Sequence, residues 1–144
     1  MSVYHISIVL LCFCLSFSAD DTWSALGARL FHSTYLNAFV SVVSAFSERG
    51  YEIENADELR GVITTTWREE TVGFFSRRDI RRRLSARVTQ HDKDITEVTL
   101  QCHTEIKEAD TWHDQTMSAF EKKRLHRRLF RAIRDKVYAY SRWF

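Results

Sequence analysis

Arg81-Arg82-Arg83-Leu84-Ser85-Ala86-Arg87-Val88-Thr89-Gln90, then His91-Asp92-Lys93-Asp94, then Ile95-Thr96-Glu97-Val98-Thr99-Leu100-Gln101-Cys102-His103-Thr104-Glu105-Ile106: this stretch decides the fold. Side chains alternate between the two faces of a strand, so Arg82, Leu84, Ala86 and Val88 share one face and Arg81, Arg83, Ser85, Arg87 and Thr89 the other. After the polar turn the same alternation resumes. Val98, Leu100, Cys102, Thr104 and Ile106 form an inward set, and Glu97, Thr99, Gln101, His103 and Glu105 an outward one. Folding the two segments as an antiparallel hairpin with Val88 opposite Val98 sets Ala86 by Leu100 and Leu84 by Cys102. The same register puts Arg81 opposite Glu105 and Arg83 opposite His103. A slip of one residue would turn the whole apolar set to water, so the register is strongly specified.

Upstream, Ser33-Thr34 is a suitable N-cap for a helix from Tyr35 to Arg49. Tyr35, Phe39, Val42, Val43 and Phe46 recur at helical spacing, Leu36 and Val40 widen the stripe, and Gly50 stands where a left-handed residue ends a helix. Trp23, Leu26 and Leu30, with Phe31 beside Leu30, also recur at three- and four-residue steps, so helical structure is expected to begin before Tyr35, with Gly27 as its weak point. Tyr51 to Glu54 and Val62 to Trp67 read as two further strands, rich in β-branched residues and separated by a polar turn. Glu69 to Ser76 reads as a loop carrying two exposed aromatics, Phe74 and Phe75. Downstream, Leu125, Leu129, Ile133, Val137 and Tyr140 mark the buried stripe of a long helix from Ser118 to Arg142. The expected fold is α+β: an antiparallel sheet of about four strands, with an N-terminal and a long C-terminal helix packed on one face, as in helix-grip domains.

The first nineteen residues contain no Asp, Glu, Lys or Arg. Their apolar run from Ile6 to Ala19 is too short for a bilayer span of roughly 20 residues. It fits a secretory signal occupying 1–18, cleaved after Ser18, ahead of a single domain over 19–144. Cleavage would remove Cys12 and Cys14 and leave Cys102 alone, so the mature domain holds no internal disulfide. A disulfide-free exported domain points to the bacterial periplasm, free or attached to a membrane.

The formal net charge is only +2, but it is unevenly spread. Six arginines stand against one aspartate between residues 77 and 87, and eight cations against one aspartate between 122 and 136. The rest of the chain is therefore acidic overall. Two surfaces are the candidate contacts for an envelope protein or an anionic membrane surface: the arginine strand face (Arg81, Arg83, Arg87) and the back of the last helix (Arg127, Arg131, Arg134). Export weighs against nucleic acid as the partner. The chain has no nucleophile elbow, phosphate loop or framed carboxylate pair. Cys102 and His103 are adjacent on a strand and cannot chelate one ion together, so no metal site, cofactor or enzymatic activity is expected. The alternative is a small-ligand binder or enzyme using a groove between the C-terminal helix and the sheet, lined by Trp67, Trp112 and Tyr138. A third possibility makes Phe74, Phe75, Trp143 and Phe144 interface anchors in a larger assembly.

Ala45-Phe46-Ser47-Glu48-Arg49-Gly50-Tyr51-Glu52-Ile53, followed by Asp57 and Gly61-Val62-Ile63-Thr64-Thr65-Thr66-Trp67, resembles the helix-grip domains of outer-membrane assembly lipoproteins of the BamC type. In those a helix ends at Gly before an aromatic, and a hairpin leads into a Gly-led strand ending in an aromatic. The resemblance covers about a sixth of the chain and implies fold and envelope location. The resemblance is not expected to extend to a lipidation site, a long unstructured N-terminal segment or a second domain.

Overall fold

A computed structural model describes residues 23–143. The chain runs β1 (Trp23–His32), α1 (Tyr35–Glu48), β2 (Ile53–Asp57), β3 (Val62–Thr65), β4 (Arg68–Val72), β5 (Arg78–Asp92), β6 (Ile95–Glu108), β7 (Thr111–Asp114) and α2 (Ala119–Tyr140). All pairings are antiparallel, in the order β1-β6-β5-β3-β2, with β4 also on β5 and β7 also on β6. Both helices lie on one face of the sheet. α1 packs against β2, β3, β5 and β6, and α2 packs against α1 and β1.

The central hairpin has the expected register: Leu84 faces Cys102, Ala86 Leu100, Val88 Val98, Arg81 Glu105 and Arg83 His103. Its inward side chains are buried with Phe39, Val42 and Phe46 of α1 and Leu129, Phe130, Ile133 and Val137 of α2. Thr34 caps α1, and Gly50 closes it with φ +79°. Ser118 and Glu121 form a reciprocal capping box at the start of α2. The Ser118 backbone N–H, followed by its hydroxyl, draws the Glu121 carboxyl below its ordinary pKa.

The sheet has seven strands, not about four. The first unexpected strand is β1, where helix was anticipated. Its register shifts between Ala25 and Gly27, where one extra residue bulges out. Such an insertion reverses the facing of all that follows. Leu26 and Phe31 are both buried against the helices although five residues apart, so a broken period of two imitates a helical period. Gly27 sits in the bulge with φ +108°, where a Cβ would lie 3.1 Å from the His126 ring of α2. The second is β4, which reads as loop because an ion pair takes the place of its apolar face. Inside the sheet Glu70 binds Arg82 at 2.5 Å, and Arg82 also reaches Glu121 of α2 at 3.6 Å. The third, β7, is only four residues long. Leu36 and Val40, expected in the buried stripe of α1, are exposed and line an apolar hollow with Tyr140 and Trp143. The proposed signal segment and Phe144 lie outside the described residues. No helix among the described residues is long and apolar enough to cross a membrane.

Candidate functional site

β3 stops at Thr65 and β4 starts at Arg68, so β5 changes partner between Ser85 and Arg82. The Thr65 hydroxyl accepts the Leu84 backbone N–H at 2.9 Å across this break. The break turns the Trp67 indole over the face of the sheet that carries no helix. Trp23, at the start of β1, and Trp112, on β7, reach the same face through their pairing with His103 and Lys107. Three of the chain's four tryptophans thus meet on the arginine side of the central hairpin.

They interleave with the guanidinium groups. Arg83 lies 5.0 Å from the Trp23 ring centre and 5.6 Å from that of Trp67. Arg81 lies 4.5 Å from Trp67 and 4.6 Å from Trp112. Cation–π contacts of this kind are worth about 0.5–2 kcal/mol each, more as water is excluded. His103 packs against Trp23 and Trp67 and meets Asp114 of β7 through Nε2 at 2.7 Å. Arg81 binds Glu105 through Nε at 2.5 Å. Arg83 has no carboxylate partner among the described residues, and its buried Nε has no acceptor. Arg87 lies further along the same face and lines an open hollow of about 280 Å³ with Ser85, Thr99 and Gln101.

This face was read in the sequence as exposed charge. Arg81, Arg83 and Arg87 do share it, but Trp67 and Trp112 belong to it as well. Those two tryptophans therefore stand on the side of the sheet opposite α2, and no groove between α2 and the sheet joins them to Tyr138. Pairing a residue to a strand of four, as at Trp112, or to a strand break, as at Trp67, requires the topology. Strand parity did foresee that His103 and Glu105 share a face; Asp114 is the addition. One donor atom from each of the three falls within 4.8 Å of the others. That is close enough to hold a divalent cation, but the Arg81 guanidinium already occupies Glu105 and would oppose one.

The back of α2 is built differently. Phe120, Arg124, Arg127, Arg131, Arg134 and Tyr138 recur at alternating four- and three-residue steps and are all exposed. The ion pairs of α2 are Glu121 with Arg82, Arg134 with Asp135 and Lys136 with Glu48. Lys122, Lys123, Arg124, Arg127, Arg128 and Arg131 make none among the described residues. Phe74 and Phe75, in the β4–β5 turn, are 90% and 98% exposed and touch each other edge to face. Trp143 is exposed beyond the end of α2.

Cys102 is buried on the helix side of the sheet, and desolvation pushes its thiol up to about 11. It is a packed apolar group rather than a nucleophile.

The sequence matches no family model, and no curated protein is significantly similar to it. Solved structures to which the chain is similar include a TBP-like protein from Parabacteroides distasonis, at 9% identity, TM-score 0.49, and 80% of this chain over 91% of that one. A DUF4468 family protein from Bacteroides ovatus has 12% identity and TM-score 0.46, with 76% of this chain over 84% of that one. A conserved protein from Geobacillus kaustophilus has 12% identity and TM-score 0.46, with 79% of this chain over 94% of that one.

Proposed function

We propose that this chain is a non-enzymatic binding domain of the cell envelope that docks on an anionic surface, lipid headgroups first, through the back of α2. The observation that carries the reading is the exposed stripe Arg124, Arg127, Arg131 and Arg134, the first three without an ion-pair partner among the described residues. Helix stability does not account for them. Like charges three or four residues apart, such as Lys123, Arg127 and Arg131, destabilise a helix by about 0.2–0.5 kcal/mol per pair. Cations near the N-terminus also oppose the helix dipole, and Lys122, Lys123 and Arg124 stand there while the last turn has no basic residue. An anionic partner removes both penalties at once.

Each basic residue near an anionic bilayer contributes about 1 kcal/mol, and the exposed aromatics Phe120 and Tyr138 end the stripe with rings suited to the headgroup level. The apolar segment Ile6 to Ala19 supports export, and the two helices gripping one sheet face agree with a helix-grip-like domain. The test is co-sedimentation of the full chain with vesicles of neutral lipid and of neutral lipid containing phosphatidylglycerol. Binding is expected only to the anionic vesicles, weakening steeply as salt rises from 0.05 to 0.5 M on the scale of ordinary screening. Equal binding to neutral vesicles, or binding indifferent to salt, would overturn the proposal. Capture by an acidic polypeptide but not by vesicles would move the partner from lipid to protein.

A further inference from the structure

Two arginines on the same strand face give an internal comparison. Arg81 and Arg83 are two residues apart on β5, and each sits over two indoles. They differ in one respect. Glu105 accepts the Arg81 Nε at 2.5 Å, whereas the Arg83 Nε is buried without an acceptor and no carboxylate pairs with Arg83 among the described residues. Buried donors are nearly always satisfied. The Arg82 Nε also has no acceptor, but Arg82 holds Glu70 and Glu121 through its terminal nitrogens, whereas Arg83 holds no carboxylate among the described residues and so marks a missing partner. Glu105 shows what kind of partner fits such a fork, namely a planar oxyanion.

The surroundings provide room for the rest of a ligand. One pair along from Arg83 and His103, the outer face carries Ser85 opposite Gln101, with Thr64 beside Ser85 and Ala25 beside Gln101. These are small or uncharged polar side chains between the tryptophans at one end and Arg87 at the other. The open hollow over Val62, Ser85, Ala86, Arg87, Thr99 and Gln101 has a volume of about 280 Å³, close to the lower end of small-molecule sites at roughly 300 Å³. Its surface is mostly apolar, with hydroxyl and amide groups from Ser85, Thr99 and Gln101 set into it.

We infer that this face is a binding site for a small oxyanion-headed ligand, a carboxylate or a phosphate, with its head on Arg83 and a polar body over Ser85 and Gln101. The site is separate from the α2 surface and does not depend on it. Arginine suits the role through its paired, planar donors, which lysine lacks.

The test is NMR titration of the full chain, at constant ionic strength, with sodium acetate and separately with inorganic phosphate. The readouts are the Arg side-chain N–H, the indole N–H and the amide signals. Expected are saturable shifts at Arg83, Trp23 and Trp67 that extend to Ser85 and Gln101, the anion saturating at the lower concentration naming the head group. Arg83→Gln and Arg83→Lys are each expected to weaken binding at least about tenfold, the loss of a charge-assisted hydrogen bond, while Arg131→Glu leaves it unchanged. Two outcomes would overturn the site: shifts in the unaltered chain that grow linearly or centre on α2, or a folded Arg83→Gln variant that binds as well. Failure of vesicle binding with success here would remove the α2 reading and leave this one standing.

Discussion

The open sheet face and the back of α2 are both basic in the sequence, and the fold treats them in opposite ways. On the sheet, neighbouring strands bring indoles and carboxylates alongside the arginines, so Arg81 is stacked and paired before any partner arrives. On the back of α2, Arg124, Arg127 and Arg131 make no ion pair among the described residues, and Arg134 meets Asp135 of the same helix. A strand shares its side chains with whatever lies beside it, while the exposed back of a helix shares with nothing. Charge counted along the chain therefore overstates the electrostatic reach of the sheet more than that of the back of α2.

Changing Arg127, Arg131 and Arg134 together to Glu should have the largest effect. At about 1 kcal/mol per basic residue near an anionic surface, losing three costs at least about a hundredfold in vesicle affinity, with the thermal midpoint almost unmoved. The same reversal at Arg81 and Arg83 should instead lower the midpoint; equal effects on binding from the two sets would erase the contrast between the regions. Next in size, Trp67→Ala removes the ring shared by Arg81, Arg83 and His103. We expect a loss of about 2–3 kcal/mol in chemical denaturation, below the 3–5 kcal/mol of a fully buried Trp because Trp67 remains partly exposed.

A smaller effect follows from the buried thiol. Cys102 has its pKa raised to about 11 in the fold against about 9 when exposed. Below pH 9 the thiol is protonated in both states and costs nothing. Between pH 9 and 11 the unfolded chain ionises first, so stability falls by an amount on the order of 1–2 kcal/mol. Tyr51, whose pKa burial also raises, adds to the loss above pH 10. Denaturation curves of Cys102→Ala should show a shallower decline across that window, and iodoacetamide should label native Cys102 only as fast as the chain opens. Smallest is the β6–β7 turn, where Ala109 and Asp110 both hold positive φ, 47° and 65°. Ala109→Gly should stabilise the protein by about 1 kcal/mol, the strain of a left-handed alanine, and should hold Trp112 and Asp114 more firmly on the sheet face.

How legible the molecule is from its sequence varies with the range of the interaction. The central hairpin and the two helices are readable because period and register are local, and Val88 opposite Val98 follows from alternation alone. β4 escapes because Arg82 and Glu70 satisfy each other only once the strands are paired. β1 escapes because its alternation is interrupted. Candidate residues follow the same division: the outward facing of Arg81, Arg83, His103 and Glu105 is written in their spacing, while the arrival of Trp23, Trp67, Trp112 and Asp114 depends on pairings with distant strands.

The bulge at Ala25 and Gly27 has a consequence for how the two sides of the protein are joined. Trp23 and Phe31 are eight residues apart, so an uninterrupted strand would aim both the same way. The one extra residue lets β1 send Phe31 into the helix layer and Trp23 to the opposite side, above Arg83. β1 is thus a rivet through the sheet with a head on each surface. Deleting Gly27 would force it to choose: keep the core and lose the Trp23 wall of the arginine face, or keep the wall and turn Phe31 out to water.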